Sequence, residues 1–248
     1  LTEEFIHDFC LYLKNVVGLA QSSIWIYSIP LKHMVTAAHY NGKIPRNPFA
    51  MYHVDPDHKE REFLTEEELS MFAGIKLENP NFSFARDLFL FGCWTGISFI
   101  DIKNLTEDNI VNINDAPWIV SQRQKTGVPF KIKLMESSLQ IIERYKPFRK
   151  DEHLFAIGSL DMINKRIKRV ANMCGIKKRI SFHVSRHTFA VLALEHGMPI
   201  ESVSKILGHT NITTTQIYAK VTSTKLEHDI SVFESRIKGH LPTMGGTV

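Results

Sequence analysis

A chain of 248 residues with 44% hydrophobic and 23% charged residues has enough apolar side chain for a packed core, which excludes a disordered protein away from its ends. Its formal net charge of +4 fits a polyanionic partner and many other partners equally well. No apolar run is long enough to span a bilayer, no signal-peptide pattern opens the chain, and Cys10, Cys93 and Cys174 stand far apart in unpaired spacing, so a soluble cytoplasmic protein with packing cysteines is expected. Because the chain opens on Leu1 and not on Met, a further domain ahead of it is also expected.

Phe5, Ile6, Phe9, Leu13 and Val16 recur at intervals of three and four, which predicts an amphipathic helix over 2–17 capped by Thr2. A second helix starts near Ser22 or Ser23 and runs to about Ala38, with Pro30 inside it and Gly42 beyond its end. Pro45, Pro48 and Pro56 then fall in a stretch without periodicity, so 1–55 reads as a small helical domain and 56–62 as a linker. Thr65-Glu66-Glu67-Glu68 is a capping box that opens a second domain over 63–240, followed by a tail at 241–248. Within it helices are predicted over 82–94, ending at Thr95-Gly96, and over 97–104, 135–146, 159–173, 184–196, 200–206, 211–219 and 222–237. Residues 109–133 read instead as a small antiparallel sheet with a turn at Lys125-Thr126-Gly127. The fold class is therefore mainly α, a small N-terminal helical domain plus a larger helical domain carrying one small antiparallel β-sheet, and that architecture alone names no function.

Lys165, Arg166, Lys168 and Arg169 fall within five residues, and Lys177, Lys178 and Arg179 follow; a solvated helix face and a phosphate-binding surface both fit such a run. The segment 181–220 carries more specific chemistry. His183 and Arg186, three apart, share one helical face. His183 and His187, four apart, suggest zinc, but no Glu follows His183 and no third ligand is evident, so no metal is expected. Further along come Leu207-Gly208-His209 and, nine residues after that histidine, Tyr218.

Taken in order, His183-Val184-Ser185-Arg186-His187-Thr188-Phe189-Ala190, Ile206-Leu207-Gly208-His209 and Tyr218 resemble the C-terminal signature of the tyrosine recombinases, or integrases. Thr95-Gly96-Ile97-Ser98-Phe99-Ile100-Asp101-Ile102 resembles that family's first conserved box, and Lys125 stands where the family has a hairpin lysine. The resemblance implies a site-specific recombinase of a mobile element that clamps double-stranded DNA between a core-binding domain and a catalytic domain. Tyr218 would attack a phosphodiester in line and form a 3′-phosphotyrosyl link, which a free 5′ hydroxyl later reverses without ATP, metal or other cofactor. Arg186 would offer a planar fork of donors to the phosphate, His209 a further hydrogen bond, His183 would act as the base, and Lys125 would protonate the departing 5′ oxygen.

Lys165, Arg166, Arg169, Lys177, Lys178 and Arg179 become candidate DNA contacts under this resemblance, with Lys14, Lys32, His33, Lys43 and Arg46 in the first domain. The 222–237 segment would dock on a neighbouring protomer within a homotetramer on two duplexes, and accessory DNA-bending proteins and a preceding arm-binding domain are expected as well. One departure stands out. Where the family's first box has arginine, this chain has Ser98, as some integrases of conjugative elements do; Arg123, two residues before Lys125 and so on the same strand face, is the candidate replacement, ahead of Arg86. Asp101 reads as structural, orienting His187 or a backbone amide. The alternatives are a type IB topoisomerase and a decayed recombinase that only binds DNA.

Overall fold

A computed structural model describes residues 1–55, 61–219 and 223–237; the linker residues 56–60 and the tail at 241–248 lie outside them. The chain divides into two compact units, Leu1–Glu60 and Arg61–Val248.

In the first unit, α1 (Glu3–Asn15) starts where the Thr2 hydroxyl accepts from the Phe5 amide, and Glu3 and Glu4 sit at the positive end of its dipole. Its buried face, Ile6, Cys10 and Leu13, packs with Ile24 and Val35 of α2 (Gln21–Tyr40) and with Phe49. Helix α2 runs unbroken through Pro30. Of the basic residues singled out here, Lys32 donates to the Tyr52 carbonyl.

The second unit opens with α3 (Glu66–Gly74), where the Thr65 hydroxyl accepts from the Glu68 amide at 3.3 Å and the Glu68 carboxylate accepts from the Thr65 amide at 2.9 Å. Helix α4 (Pro80–Thr95) is apolar on nearly every side, and a helix of that kind belongs inside: Ala85, Leu88, Phe89, Leu90, Phe91 and Cys93 are all buried. Helices α6 (Glu136–Tyr145), α7 (Leu160–Met173) and α8 (Phe182–Glu195) pack around it. The one charge that α4 buries, Asp87, accepts from Arg86, Arg144 and the Tyr145 hydroxyl, which ties α6 to the central helix.

Between α5 (Phe99–Lys103) and α6 lies a three-stranded antiparallel sheet in the order β1 (Ile110–Ile113), β2 (Ala116–Gln122), β3 (Pro129–Lys133), with Ile119 opposite Ile110 and Ile132. The β1–β2 turn places Asn114 and Asp115 in the left-handed region, which these short polar residues tolerate. Two predicted helices are shorter than their apolar spacing suggests. The 97–104 segment is helical only from Phe99, because Ser98 is its cap. The 211–219 segment is helical only over α10 (Thr213–Gln216): Asn211 Oδ1 accepts from the Thr213 amide at its start, and a turn made of three β-branched threonines has little propensity to extend further. Helix α9 (Ile200–Leu207) precedes α10, and α11 (Ser223–Ile237) ends the described chain.

Candidate active site

Two helices of the second unit end at glycines in the left-handed conformation, α4 at Gly96 (φ 65°) and α9 at Gly208 (φ 60°). A helix C-terminus leaves carbonyls without intrahelical donors and carries partial negative charge. Both ends point at one cation. Arg186, buried on α8, donates Nη1 to the Gly96 carbonyl at 2.7 Å and Nη2 to the Leu207 carbonyl at 2.5 Å. A planar guanidinium spans two fixed acceptors in a way that an ammonium cannot.

The Leu207 carbonyl also accepts from Nη2 of Arg123, so two guanidiniums converge on one oxygen. Arg123 leaves the end of β2 and is buried; its ring neighbour is Phe130, and its Nη1 donates to Asp101 Oδ2 at 2.5 Å. Burial pulls its proton affinity below the usual range, and the Asp101 charge opposes that pull. Its Nε is buried with no hydrogen-bond partner. Glycine is required at 208 for a second reason: a Cβ there would lie 2.9 Å from both Cγ and Nε of Arg123.

Asp101 accepts from three donors: Arg123, the Ser98 hydroxyl at 2.6 Å and the Gln124 amide at 2.9 Å. Ser98 thus caps α5 and holds the carboxylate that pairs with Arg123. The same carboxylate pins the start of the β2–β3 turn, in which Lys125 is exposed and Gly127 takes a positive φ. Because β2 ends at Gln122, the strand alternation expected to put Arg123 and Lys125 on one face does not extend to them; Arg123 is turned into the unit and Lys125 toward solvent. Arg86, the weaker candidate, is taken up by Asp87 and the Ile75 carbonyl.

His209, directly after Gly208, places Nε2 at 3.0 Å from Arg186 Nη2 and Nδ1 at 2.8 Å from the Thr215 hydroxyl. Arginine can only donate, so Nε2 accepts and the Nδ1 proton goes to Thr215. Burial, then the charges of Arg123 and Arg61, lower the proton affinity of His209. Tyr218 lies just past α10, half-buried, and its hydroxyl is 2.5 Å from Nδ1 of His187, the next residue after Arg186 on α8. Burial raises the Tyr218 pKa against an opposing pull from Arg61. His187 is 5% exposed, and burial, His183 and Arg61 hold its pKa down to about 3. The His183 ring meets the His187 ring edge to face, with centroids 4.3 Å apart. His183 keeps an edge open to solvent, its proton affinity lowered by partial loss of water around the ring and by Arg61, and it lines a cavity of about 380 Å³ with Ser98, Asn164, Ser181 and Arg186.

The fold therefore gathers Ser98, Arg123, His183, Arg186, His209 and Tyr218 and adds three residues that spacing alone did not assign: Asp101 as the anchor of Arg123, His187 on the tyrosine hydroxyl, and Arg61, whose charge acts on the three histidines and on Tyr218. Asp101 orients the Gln124 amide and does not reach His187, one of the two roles expected for it. Of the basic run, Lys165, Lys168, Arg169, Lys177 and Arg179 are exposed and Arg166 is half-buried, whereas Lys178 is committed to Glu68, the Phe63 carbonyl and the Phe63 ring. Among the described residues no three His, Cys, Asp or Glu side chains cluster as metal ligands, and no helix is long and apolar enough to cross a membrane.

Residues 62–225 match the phage integrase family and residues 1–54 the phage integrase SAM-like domain. The chain belongs to the phage integrase family. Among curated integrase relatives, the tyrosine recombinase XerD of Listeria monocytogenes is 43% identical over 72 residues, 29% of this chain and 24% of the relative. The tyrosine recombinase XerA of Pyrococcus horikoshii is 30% identical over 154 residues, 58% of this chain and 52% of that one. The chain thus spans about a quarter to a half of these relatives' length. Two solved structures share the fold: the XerH site-specific recombinase bound to a palindromic difH substrate (TM-score 0.76, 19% identity, 94% of this chain and 73% of that one) and the Tn1549 transposon integrase in complex with circular intermediate DNA (TM-score 0.74, 21% identity, 93% and 85%).

Proposed function

We propose that this integrase-family chain is a site-specific recombinase that breaks and rejoins cytoplasmic double-stranded DNA through a phosphotyrosyl link to Tyr218. The observation that carries the reading is the placement of a half-buried phenol against an imidazole on the same helix turn as a guanidinium, Arg186, held by two helix C-termini. The relatives named tyrosine recombinases and the DNA bound in the similar structures support it.

In this reading Tyr218 attacks phosphorus, Arg186 holds the non-bridging oxygens, His209 exchanges its Arg186 contact for a proton on Nε2 that it donates to the same oxygens, His183 faces the phosphate from the cavity side, and Lys125 on its exposed turn swings onto the leaving 5′ oxygen. Arg123 takes the part of the absent first arginine: it lies one shared carbonyl away from Arg186, with Ser98 holding its counter-ion. Lys165, Arg166, Arg169, Lys177 and Arg179 contact phosphates, and α11 docks on a neighbouring protomer of a tetramer on two duplexes.

The test is covalent trapping. Wild-type protein and Tyr218→Phe are incubated with a randomised pool of nicked duplexes, and protein–DNA species that survive denaturation are recovered. Trapping by the wild type alone is the expected result. Duplexes bound but never trapped by either protein would replace this reading with a DNA-binding protein that has lost its chemistry.

A further inference from the structure

We infer that His187 is the residue that accepts the phenol proton of Tyr218 during strand cleavage, the part that family resemblance assigns to His183. The inference rests on the recombinase reading above. It starts from a contact: His187 Nδ1 is 2.5 Å from the Tyr218 oxygen, and among the described residues no other side chain hydrogen-bonds that hydroxyl. His183 touches His187 edge to face and lines the open cavity with Arg186.

The proton must lie on the tyrosine side of this contact. Burial and the positive charges around it keep His187 neutral, while burial raises Tyr218, so the phenol O–H donates and the Nδ1 lone pair accepts. With a pKa of about 3, the imidazole cannot ionise the tyrosine in the DNA-free protein. An incoming phosphodiester changes that balance. Its negative charge offsets the surrounding cations, and the second negative charge that develops as the oxygen attacks phosphorus stabilises an imidazolium beside it. The tyrosine thus stays protonated, and unreactive toward stray electrophiles, until a phosphate is in place. In the cleavage step the Tyr218 Oη–P bond forms, the P–O5′ bond breaks, the phenol proton passes to His187 Nδ1, and a separate donor protonates O5′. Rejoining runs the same transfers backwards, with His187 returning its proton to the departing tyrosine oxygen.

The decisive variant is His187→Gln, whose side-chain oxygen can still accept the tyrosine hydrogen bond but cannot take up a proton. Single-turnover cleavage is measured on a duplex that the wild type traps, and on the same duplex with sulfur in place of the bridging 5′ oxygen, a leaving group that needs no protonation. His187→Gln is expected to cleave about a hundredfold or more slowly on both duplexes with DNA affinity unchanged; Lys125→Ala is expected to be rescued by sulfur. Wild-type cleavage by His187→Gln, or its rescue by sulfur, overturns the inference. Nitrogen NMR of the unmodified protein gives an answer that does not depend on a variant folding: an unprotonated Nδ1 on His187 supports the inference, and a protonated one overturns it. If the wild type traps no duplex at all, the recombinase reading falls and takes this inference with it.

Discussion

In the proposed reading, Arg123 stands in from another element for the arginine that the first box lacks. Its guanidinium reaches the Leu207 carbonyl that Arg186 also uses, from a different element, 25 residues after Ser98 in sequence, and it is anchored there by Asp101, whose carboxylate Ser98 holds. Arg123→Ala is therefore expected to slow covalent cleavage by about a hundred- to a thousandfold, the usual cost of losing one transition-state donor. Arg123→Lys should recover little, since an ammonium cannot bridge Asp101 and Leu207 together; wild-type cleavage by Arg123→Ala in the trapping assay would remove it from the site. His187 belongs to the same scale through its protonation. Its folded pKa of about 3 lies below the ordinary unfolded value near 6.5, so between those values the unfolded chain binds a proton that the folded chain refuses. Stability contributed by this group is intact above about pH 6.5 and is lost as pH falls toward 3, by at most about 1.4 kcal/mol per pH unit. Urea melts from pH 7 to 4 should show a shallower decline for His187→Gln, and an identical decline would mean that His187 is not kept neutral. The motif made Arg186, His209 and Tyr218 legible as a set, but nothing in the spacing says which of two histidines on one helical face meets a tyrosine 31 residues away.

At the scale of elements, helix ends were easier to read than helix purposes. Thr95-Gly96 and Leu207-Gly208 both announce a stop, because a left-handed terminal residue favours glycine. That both stops aim carbonyls at one arginine is a tertiary fact. Gly208→Ala makes the link measurable: the left-handed backbone costs about 1–2 kcal/mol for a residue with a Cβ, and that Cβ would sit 2.9 Å from the Arg123 side chain. A loss of stability of that size together with slower cleavage is expected, and lost stability with unchanged cleavage would separate Arg123 from the chemistry. Helix α7 was legible in its pattern alone, with Ile163, Ile167, Val170 and Ala171 buried and Lys165, Lys168 and Arg169 exposed. Lys178 was not, since its ion pair with Glu68 joins residues 110 apart in sequence. If the α7 cations contact phosphates, replacing Lys165, Arg166 and Arg169 by glutamine should flatten the plot of log affinity against log salt by up to about 2.7, or about 0.9 per phosphate. An unchanged slope would return that face to solvent.

For the whole molecule, the mainly helical fold with one small sheet was readable because its elements carry a continuous apolar pattern, whereas the proposed assembly would be written on a surface. Helix α11 leaves Leu226, Ile230 and Phe233 at 52%, 56% and 61% exposure, spaced four and three apart on one stripe. Large apolar side chains left out of their own unit along one face of a helix are suited to a groove on another molecule. Recombination needs four strands exchanged in register, so a stripe that couples protomers should matter for joining duplexes and not for cutting one. Leu226→Ser combined with Phe233→Ser is expected to keep covalent trapping of single nicked duplexes within a few-fold of wild type. The same variant should lose the slow-migrating complex that holds two duplexes, read side by side on a native gel at equal protein concentration. Retention of that complex would place the stripe against its own chain, and equal loss of trapping and pairing would make α11 a structural part of the catalytic unit rather than a link between protomers.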